Sequence, residues 1–391
     1  MDLGSAVPLD AEEMIATATR REGLADFGED YWREPFCVLI DALDKQASLS
    51  LFGRVATRDL LISALRTRLQ IEATYARHPE IDDEVIDAPV IVTGLPRSGT
   101  SILFEVLAVD PRLKPLLSWE VESPCPPPMA STYTDDPRIP RAAERIERRL
   151  RMAPDMITRH ELGALVPAEC GTAQMYYSFT SDHLTVRYNI PSYADWLYEK
   201  ADWISTYAYH RRLLKLLQWK NPRSHWLLKS PPHIWHLEPL FEIFPDARVI
   251  FTHRDPLRAH ASGTSLVATL RGMWTDEPFD PESLPKTMQA EYASASLNRV
   301  IDLIEADRVP REQVFNFHYA EFMREPLVAL RGLYGSINQP LPADTEARMA
   351  SLLAAKPQHK FGVHAYEVAG DADRRKVYER YQRYYQVEIE A

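Results

Sequence analysis

Through residues 9–85 the apolar positions recur at steps of three and four, which predicts helices over Ala11–Arg21, Phe36–Ser48 and Arg58–His78. The pattern changes at residue 89. A β-branched run (Val90, Ile91, Val92) predicts a strand over 89–93; a turn bounded by Gly94 and Gly99 follows, then a stretch with helical apolar spacing. Seven prolines within 111–137 predict an irregular loop, and Arg141–Met152 reads as a charged helix with a solvated face. From Glu169 to Trp226 the chain is dense in aromatics, including Tyr176, Tyr193, Trp203 and Trp219. Two further strand–turn–helix units come next. The first is His225–Lys229, the turn Ser-Pro-Pro and a helix over His233–Phe244; the second is Ala247–Thr252, the turn His-Arg-Asp-Pro and a helix over Leu257–Leu270. A helix over Pro285–Ala306 and a strand over Gln313–Phe317 precede the C-terminal helices.

Strands alternating with helices specify a parallel sheet covered by helices. The expected fold class is therefore α/β: a P-loop-type parallel sheet flanked by helices, with an N-terminal helical layer and helical insertions. In domain terms, residues 1–88 are expected to be a helical region packed on the core. Residues 89–391 form the α/β domain, with an aromatic-rich helical insertion at about 138–224. Ligands of such sheets sit at the carboxyl ends of the strands. The loops at 94–101, 229–233 and 253–256 should then open onto one crevice.

Charge narrows the ligand class. A net charge of −11 repels nucleic acid and anionic membrane, so neither is expected as a partner, and an anionic ligand has to be held by local cations. Cys37, Cys125 and Cys170 show no metal-ligand or redox spacing and read as reduced thiols of a cytoplasmic protein, with no metal site expected. A signal peptide is not expected, because Met1–Val7 has no basic start followed by an apolar run, and a membrane span is not, because no window approaches about 18 uninterrupted apolar residues.

The loop after the first strand nearly matches the phosphate-binding pattern G-x-x-x-x-G-K-[ST]. Gly94, Gly99 and Ser101 fit, Thr100 stands where the lysine belongs, and Arg97 is the loop's only cation. Backbone N–H groups and the helix N-terminus still suit a phosphate. The missing lysine, which ordinarily bridges β- and γ-phosphates, points to a phosphate ester whose transferred group is not a γ-phosphate.

Gly94-Leu-Pro-Arg-Ser-Gly-Thr-Ser resembles the 5′-phosphosulfate loop of sulfotransferases that use 3′-phosphoadenosine 5′-phosphosulfate. Val249-Ile-Phe-Thr-His-Arg254-Asp-Pro with Ser262 eight positions after the arginine resembles that family's 3′-phosphate motif. Leu227-Leu-Lys-Ser-Pro-Pro-His233 resembles the lysine-bearing strand end between them. The resemblance covers roughly residues 89–265 and implies donor contacts from Gly94, Pro96, Arg97, Ser98, Gly99, Thr100, Ser101, Arg254 and Ser262. More loosely, Lys360-Phe-Gly362 resembles the segment that closes over the 3′-phosphate. The implied reaction is sulfuryl transfer from that donor to a hydroxyl of a small or lipid-like acceptor, with no metal required.

The physics is consistent with this. A loose, in-line transfer gathers charge on the departing phosphate, which Arg97, Lys229 and the amides of Ser98–Ser101 would stabilise. Arg254 can grip a phosphate with both arms of its guanidinium. Plainer readings stay open: Lys229 as a strand-end lysine in water, Arg254 paired with Asp255 or another carboxylate, Ser262 as an ordinary helix serine.

For the general base, many cytosolic members carry a histidine two residues after the strand-end lysine. Here that place is Pro231, and His233 lies two residues further on. Other branches use a glutamate about 20 to 30 residues past the phosphate loop, a window that holds Glu120 and Glu122. His160 and Glu161 are further candidates, and Glu120 is the expected base unless it is a surface carboxylate beside Trp119. The aromatic stretch 170–226 is either a lid over the acceptor or plain helical core. Two rival functions remain, a P-loop nucleotide kinase or NTPase and a non-catalytic nucleotide-binding module on the same fold. A homodimer is left open as a partner.

Overall fold

Five short strands, β1 (Val90–Gly94), β2 (Leu113–Pro115), β3 (His225–Lys229), β4 (Arg248–His253) and β5 (Val314–His318), pair in the order β2-β3-β1-β4-β5. Every pairing is parallel. All five residues of the central strand β1 are buried, as the near-continuous apolar runs of a covered parallel sheet require. The computed structural model describes residues 6–152, 162–222, 224–356 and 375–390. It divides into a sheet unit, drawn from Ile86–Leu116, Arg223–Ser265 and Lys286–Ala391, and a helical unit, drawn from Met1–Val85, Leu117–Pro222 and Leu266–Pro285.

Register aligns the carboxyl ends of the strands in the sheet unit. Val92 lies opposite both Lys229 and Ile250, Gly94 opposite Thr252, and His253 opposite His318. Behind that edge a core of Val90, Val92, Leu103, Phe104, Leu107 and Ile250 joins the sheet to the helix Thr100–Leu107.

Two elements depart from expectation. The helix predicted over His233–Phe244 is instead a 3-10 turn at Pro231–Trp235 followed by a short helix at Leu237–Ile243. A continuous helix would drive the ring of Pro239 into the carbonyl four residues back. Restarting at Leu237 puts Pro239 in a first turn, where no N–H is needed. The proline-rich stretch 111–137 likewise holds more than a loop: β2, a helix at Ser118–Glu122 and a 3-10 helix at Ala130–Asp135. Pro115 is tolerated because β2 is an edge strand.

The helical unit contains Ala11–Glu22, Arg33–Gln46 and Leu51–Arg77, close to the three spans the apolar spacing predicts. Asp10 and Ser50 cap the first and third, accepting from the amides of Glu13 at 2.7 Å and Gly53 at 3.0 Å. The aromatic stretch forms its core. Tyr177, Phe179, Tyr188, Tyr193 and Tyr207 are buried, and Phe179 packs on Phe36 with ring centroids 4.7 Å apart. Among the described residues no helix is long and apolar enough to cross a membrane.

Candidate active site

The loop from Gly94 to Ser101 leaves β1 in a backbone that its glycines permit. Gly94 has φ +151° and Gly99 φ +91°. A side chain at Gly94 would run into the hydroxyl of Thr252, and one at Gly99 into the ring of Tyr319. Arg97 also sits in the left-handed region, at φ +69°, which costs a non-glycine residue about 1–2 kcal/mol. Two bonds hold it there. Its Nε donates to Ser262 Oγ at 2.9 Å, and its carbonyl accepts from Arg254 Nη1 at 3.0 Å. The loop 94–101 and the stretch from Arg254 to Ser262, far apart in sequence, are thus joined side chain to side chain.

Ser98 faces the other way. It is buried, its hydroxyl donates to the Leu95 carbonyl at 2.7 Å and meets Thr252 Oγ1 at 2.6 Å, and its amide closes the turn onto Leu95. It shapes the loop from behind. Thr100 is buried and opens the helix Thr100–Leu107, while Ser101 and Pro96 are half-buried.

Lys229 ends β3 as a buried residue rather than a lysine in water. Its Nζ donates to Ser101 Oγ at 3.2 Å and lies 5.7 Å from the centroid of the Phe104 ring. A neighbouring strand therefore brings an ammonium to the loop whose own lysine position holds Thr100. The β3 loop is pinned alongside by Ser230 N–H to the Val92 carbonyl at 3.2 Å and by Thr93 Oγ1 to the Pro231 carbonyl at 2.9 Å. His233 is buried in the 3-10 turn that follows, its amide donating to the Ser230 carbonyl at 3.2 Å.

Arg254 is forked onto a carboxylate, but not that of Asp255. Nε and Nη2 donate to Glu390 Oε1 and Oε2 at 2.8 and 2.9 Å, and the guanidinium lies over the Tyr319 ring, 4.4 Å from its centroid. Asp255 instead accepts from the Leu257 amide at 3.1 Å at the start of the helix Pro256–Gly272. It also accepts from the Glu390 amide at 3.1 Å and pairs with Arg375 at 3.2 Å. His253 is enclosed. Burial pulls its pKa down to about 3, in keeping with a neutral ring whose Nε2 faces Asn316 Oδ1 and whose Nδ1 faces the Tyr381 hydroxyl, both at 3.0 Å. About 270 Å³ of open space beside Arg254 is lined by His318, Glu321, Glu388 and Glu390 among others.

Glu120 belongs to the helical unit and is fully buried rather than a surface carboxylate. Oε2 accepts from the Leu117 amide at 2.9 Å, which caps the N-terminus of the helix Ser118–Glu122, and Oε1 accepts from the Tyr133 hydroxyl at 3.0 Å. Glu122 accepts at one oxygen, Oε2, from both Nε and Nη2 of Arg145, at 2.9 and 2.6 Å. His160, Glu161 and Lys360 lie outside the described residues. Among the described residues no group of three or more His, Cys, Asp or Glu side chains is arranged to hold a metal ion.

Tyr319, Thr252 and Glu390 are absent from the sequence reading of the site. Tyr319 carries a usable signal: it is the first residue past the fifth strand, at the same sheet edge as the loops at 94–101, 229–233 and 253–256.

A model described as "Sulfotransferase family" matches residues 89–343, which include all five strands and their carboxyl-end loops. The crystal structure of sulfotransferase STF9 from Mycobacterium avium is 31% identical with a TM-score of 0.82, over 98% of this chain and 98% of that one. Sulfotransferase STF1 from Mycobacterium tuberculosis H37Rv is 29% identical with a TM-score of 0.76, over 95% of this chain and 98% of that one. No curated protein matches the chain. With a family model spanning the whole sheet edge and a solved relative aligned along nearly its full length, the chain belongs to the sulfotransferase family.

Proposed function

We propose that the protein transfers the sulfuryl group of 3′-phosphoadenosine 5′-phosphosulfate to a hydroxyl of a small or lipid-like acceptor. The observation that carries this reading is Lys229 Nζ on Ser101 Oγ at 3.2 Å, a cation delivered to a phosphate loop that lacks its own lysine. The donor set suits a nucleotide with two separate anionic groups. Gly94 and Gly99 keep the loop's backbone open, Arg97, Lys229 and Ser101 attend the 5′ end, and Arg254 with Ser262 attends the 3′-phosphate. The Arg254 fork already grips a two-oxygen anion in Glu390, the geometry a phosphate also offers.

When bound, the phosphosulfate supplies an activated sulfuryl group. Arg97 and Lys229 neutralise the charge gathering on the departing phosphate oxygen, aided by the N–H dipoles of the helix Thr100–Leu107. The acceptor oxygen bonds to sulfur as the bond from sulfur to the phosphate oxygen breaks, and the hydroxyl proton passes to a base. Glu120 is the base proposed here, with Glu122, His160 and His233 as the alternatives.

Thermal melts with adenosine 3′,5′-bisphosphate and with ATP test the donor. The bisphosphate should stabilise the fold without magnesium, by about 2.7 kcal/mol at a hundredfold excess over its dissociation constant. No shift with the bisphosphate, together with a magnesium-dependent shift with ATP, would overturn the reading in favour of a kinase or NTPase. Bisphosphate binding with no turnover across an acceptor screen would mark a binding module.

A further inference from the structure

Six arginines and two glutamates stand in the fifteen residues of the helix Arg138–Met152, a local charge of +4 in a chain of −11. Its apolar side is packed inward. Ala142 shares a small core with Trp119 and Ala164, Ile139 packs against that core, and Ile146 is buried. Arg138 also turns inward: it forks the Asp136 carboxylate at 2.8 and 2.6 Å and donates to the carbonyls of Ser123 and Pro126. Arg141, Arg145, Arg148 and Arg151 are different. They follow at steps of four, three and three, which lines them along one side of the helix, and all four are exposed. Arg145 meets Glu122 and Arg148 meets Glu144, the latter a pair 65 and 67% exposed that water and salt largely screen. Two large apolar side chains stand in solvent on segments that share the helix's core. Met129, in the turn before Tyr133, is 49% exposed, and Leu165, next to Ala164, is 60% exposed.

We infer that this arginine-lined face docks the protein on an anionic lipid bilayer, its guanidinium groups on headgroup phosphates and Met129 and Leu165 entering the interface. The net charge of −11, from which no membrane partner is expected, opposes this only at long range. At physiological salt the Debye length is about 8 Å, so charges elsewhere on the surface are screened from a contact made at this helix, and the local sign decides. An acidic polypeptide would answer the arginines alone. A bilayer answers both the charge and the two apolar side chains. The inference stands apart from the donor assignment, although a bilayer is where a lipid-like acceptor resides.

The test is flotation of the full chain with vesicles of phosphatidylcholine alone and of phosphatidylcholine with about one third phosphatidylglycerol. The wild type should float with the anionic vesicles, stay behind with the neutral ones, and be released as sodium chloride rises from about 0.05 to 0.5 M. Arg141→Glu with Arg148→Glu should weaken binding to the anionic vesicles at least about tenfold, and Leu165→Ser about threefold or more. Arg141→Gln with Arg148→Gln takes the place of the charge reversal should that variant not fold. Arg348→Glu with Arg383→Glu makes the same change of net charge at exposed arginines elsewhere and should bind as the wild type does. A wild type that ignores the anionic vesicles, equal loss in both double variants, or undiminished binding by the Arg141 and Arg148 variants or by Leu165→Ser would each overturn the proposal. So would binding to poly-glutamate without binding to vesicles, which would assign the face to an acidic protein. None of these outcomes bears on the donor, which the nucleotide melts decide.

Discussion

At Thr100 the loop after β1 has no lysine, and the ammonium found at Ser101 comes from Lys229, 128 positions along the chain from that serine. Its role and that of the base separate by acceptor acidity. Lys229→Ala should slow transfer to ordinary alcohols and to acidic phenols alike, because it removes charge at the leaving phosphate whatever the acceptor. Losing the base should slow transfer to an alcohol by roughly a hundredfold or more, yet spare an acceptor already ionised, such as a nitrophenol. Steady-state rates of Glu120→Gln, His233→Ala and His160→Ala with both acceptors then decide which of them takes the proton. Rescue confined to His233→Ala would remove Glu120 from the chemistry and leave it as the cap of its helix. Two features of these residues were open to inspection in the sequence: the lysine's strand-end position and the glutamate's distance from the loop. That Lys229 meets Ser101, and that Glu120 is buried with both oxygens accepting hydrogen bonds, were not, since neither follows from local spacing.

Among elements, the C-terminal segment has the most direct bearing on the site. The helix Glu379–Tyr385 buries Tyr381 and Tyr385, and Tyr385 stacks on His253 with centroids 4.3 Å apart. Glu388 is forked by Arg324 at 2.7 Å through each oxygen, and Glu390 reaches Arg254. A phosphate arriving at Arg254 meets a carboxylate already on the fork. Substitutions at the two partners should therefore act in opposite directions on bisphosphate binding. Arg254→Ala should weaken it by about 1.5–3 kcal/mol, the worth of a charge-assisted contact, while scarcely changing binding of a nucleotide without the 3′-phosphate. Glu390→Gln should tighten bisphosphate binding by removing the competing charge. Calorimetry on both variants checks this, and equal weakening in both would mean that the ion pair only supports the fold. The sequence reading allowed Arg254 a structural partner in Asp255 or another carboxylate, without saying which. The actual partner is 136 residues away.

Over the whole molecule, buried titratable groups tie stability to pH. Burial lowers the pKa of His210 to about 4 and those of His236 and His253 to about 3, against about 6.5 in an unfolded chain. Between those values the unfolded chain binds more protons. Their contribution is thus complete above about pH 6.5 and is lost as pH falls, by up to about 1.4 kcal/mol per histidine per pH unit. Asp182 runs the other way. Burial raises it to about 6, above the usual value of about 3.9, so its contribution is full below that usual value and lost as pH rises through 6. Asp182→Asn should therefore gain stability relative to the wild type as pH rises from 4 to 6, by about 1.4 kcal/mol per unit. Urea midpoints across that range provide the measurement, and a difference independent of pH would refute the assignment.

Short-range pattern was enough to establish the strand–loop–helix units, the glycine-bounded loop without a lysine, and the eight-residue step from Arg254 to Ser262. Each is encoded within a few neighbouring residues, by apolar period, by glycine or by helical spacing. The parallel sheet followed from the alternation alone, whereas the break before Leu237 depended on Pro239, which the apolar period did not register. What local pattern does not encode is the lateral order of the strands. Only the order β2-β3-β1-β4-β5 brings Lys229 to Ser101, Arg97 to Ser262 and Tyr319 beneath Arg254. Strand order is settled by which apolar faces bury one another across the whole chain, and the charges of the site are carried into place by that burial rather than by their own attraction.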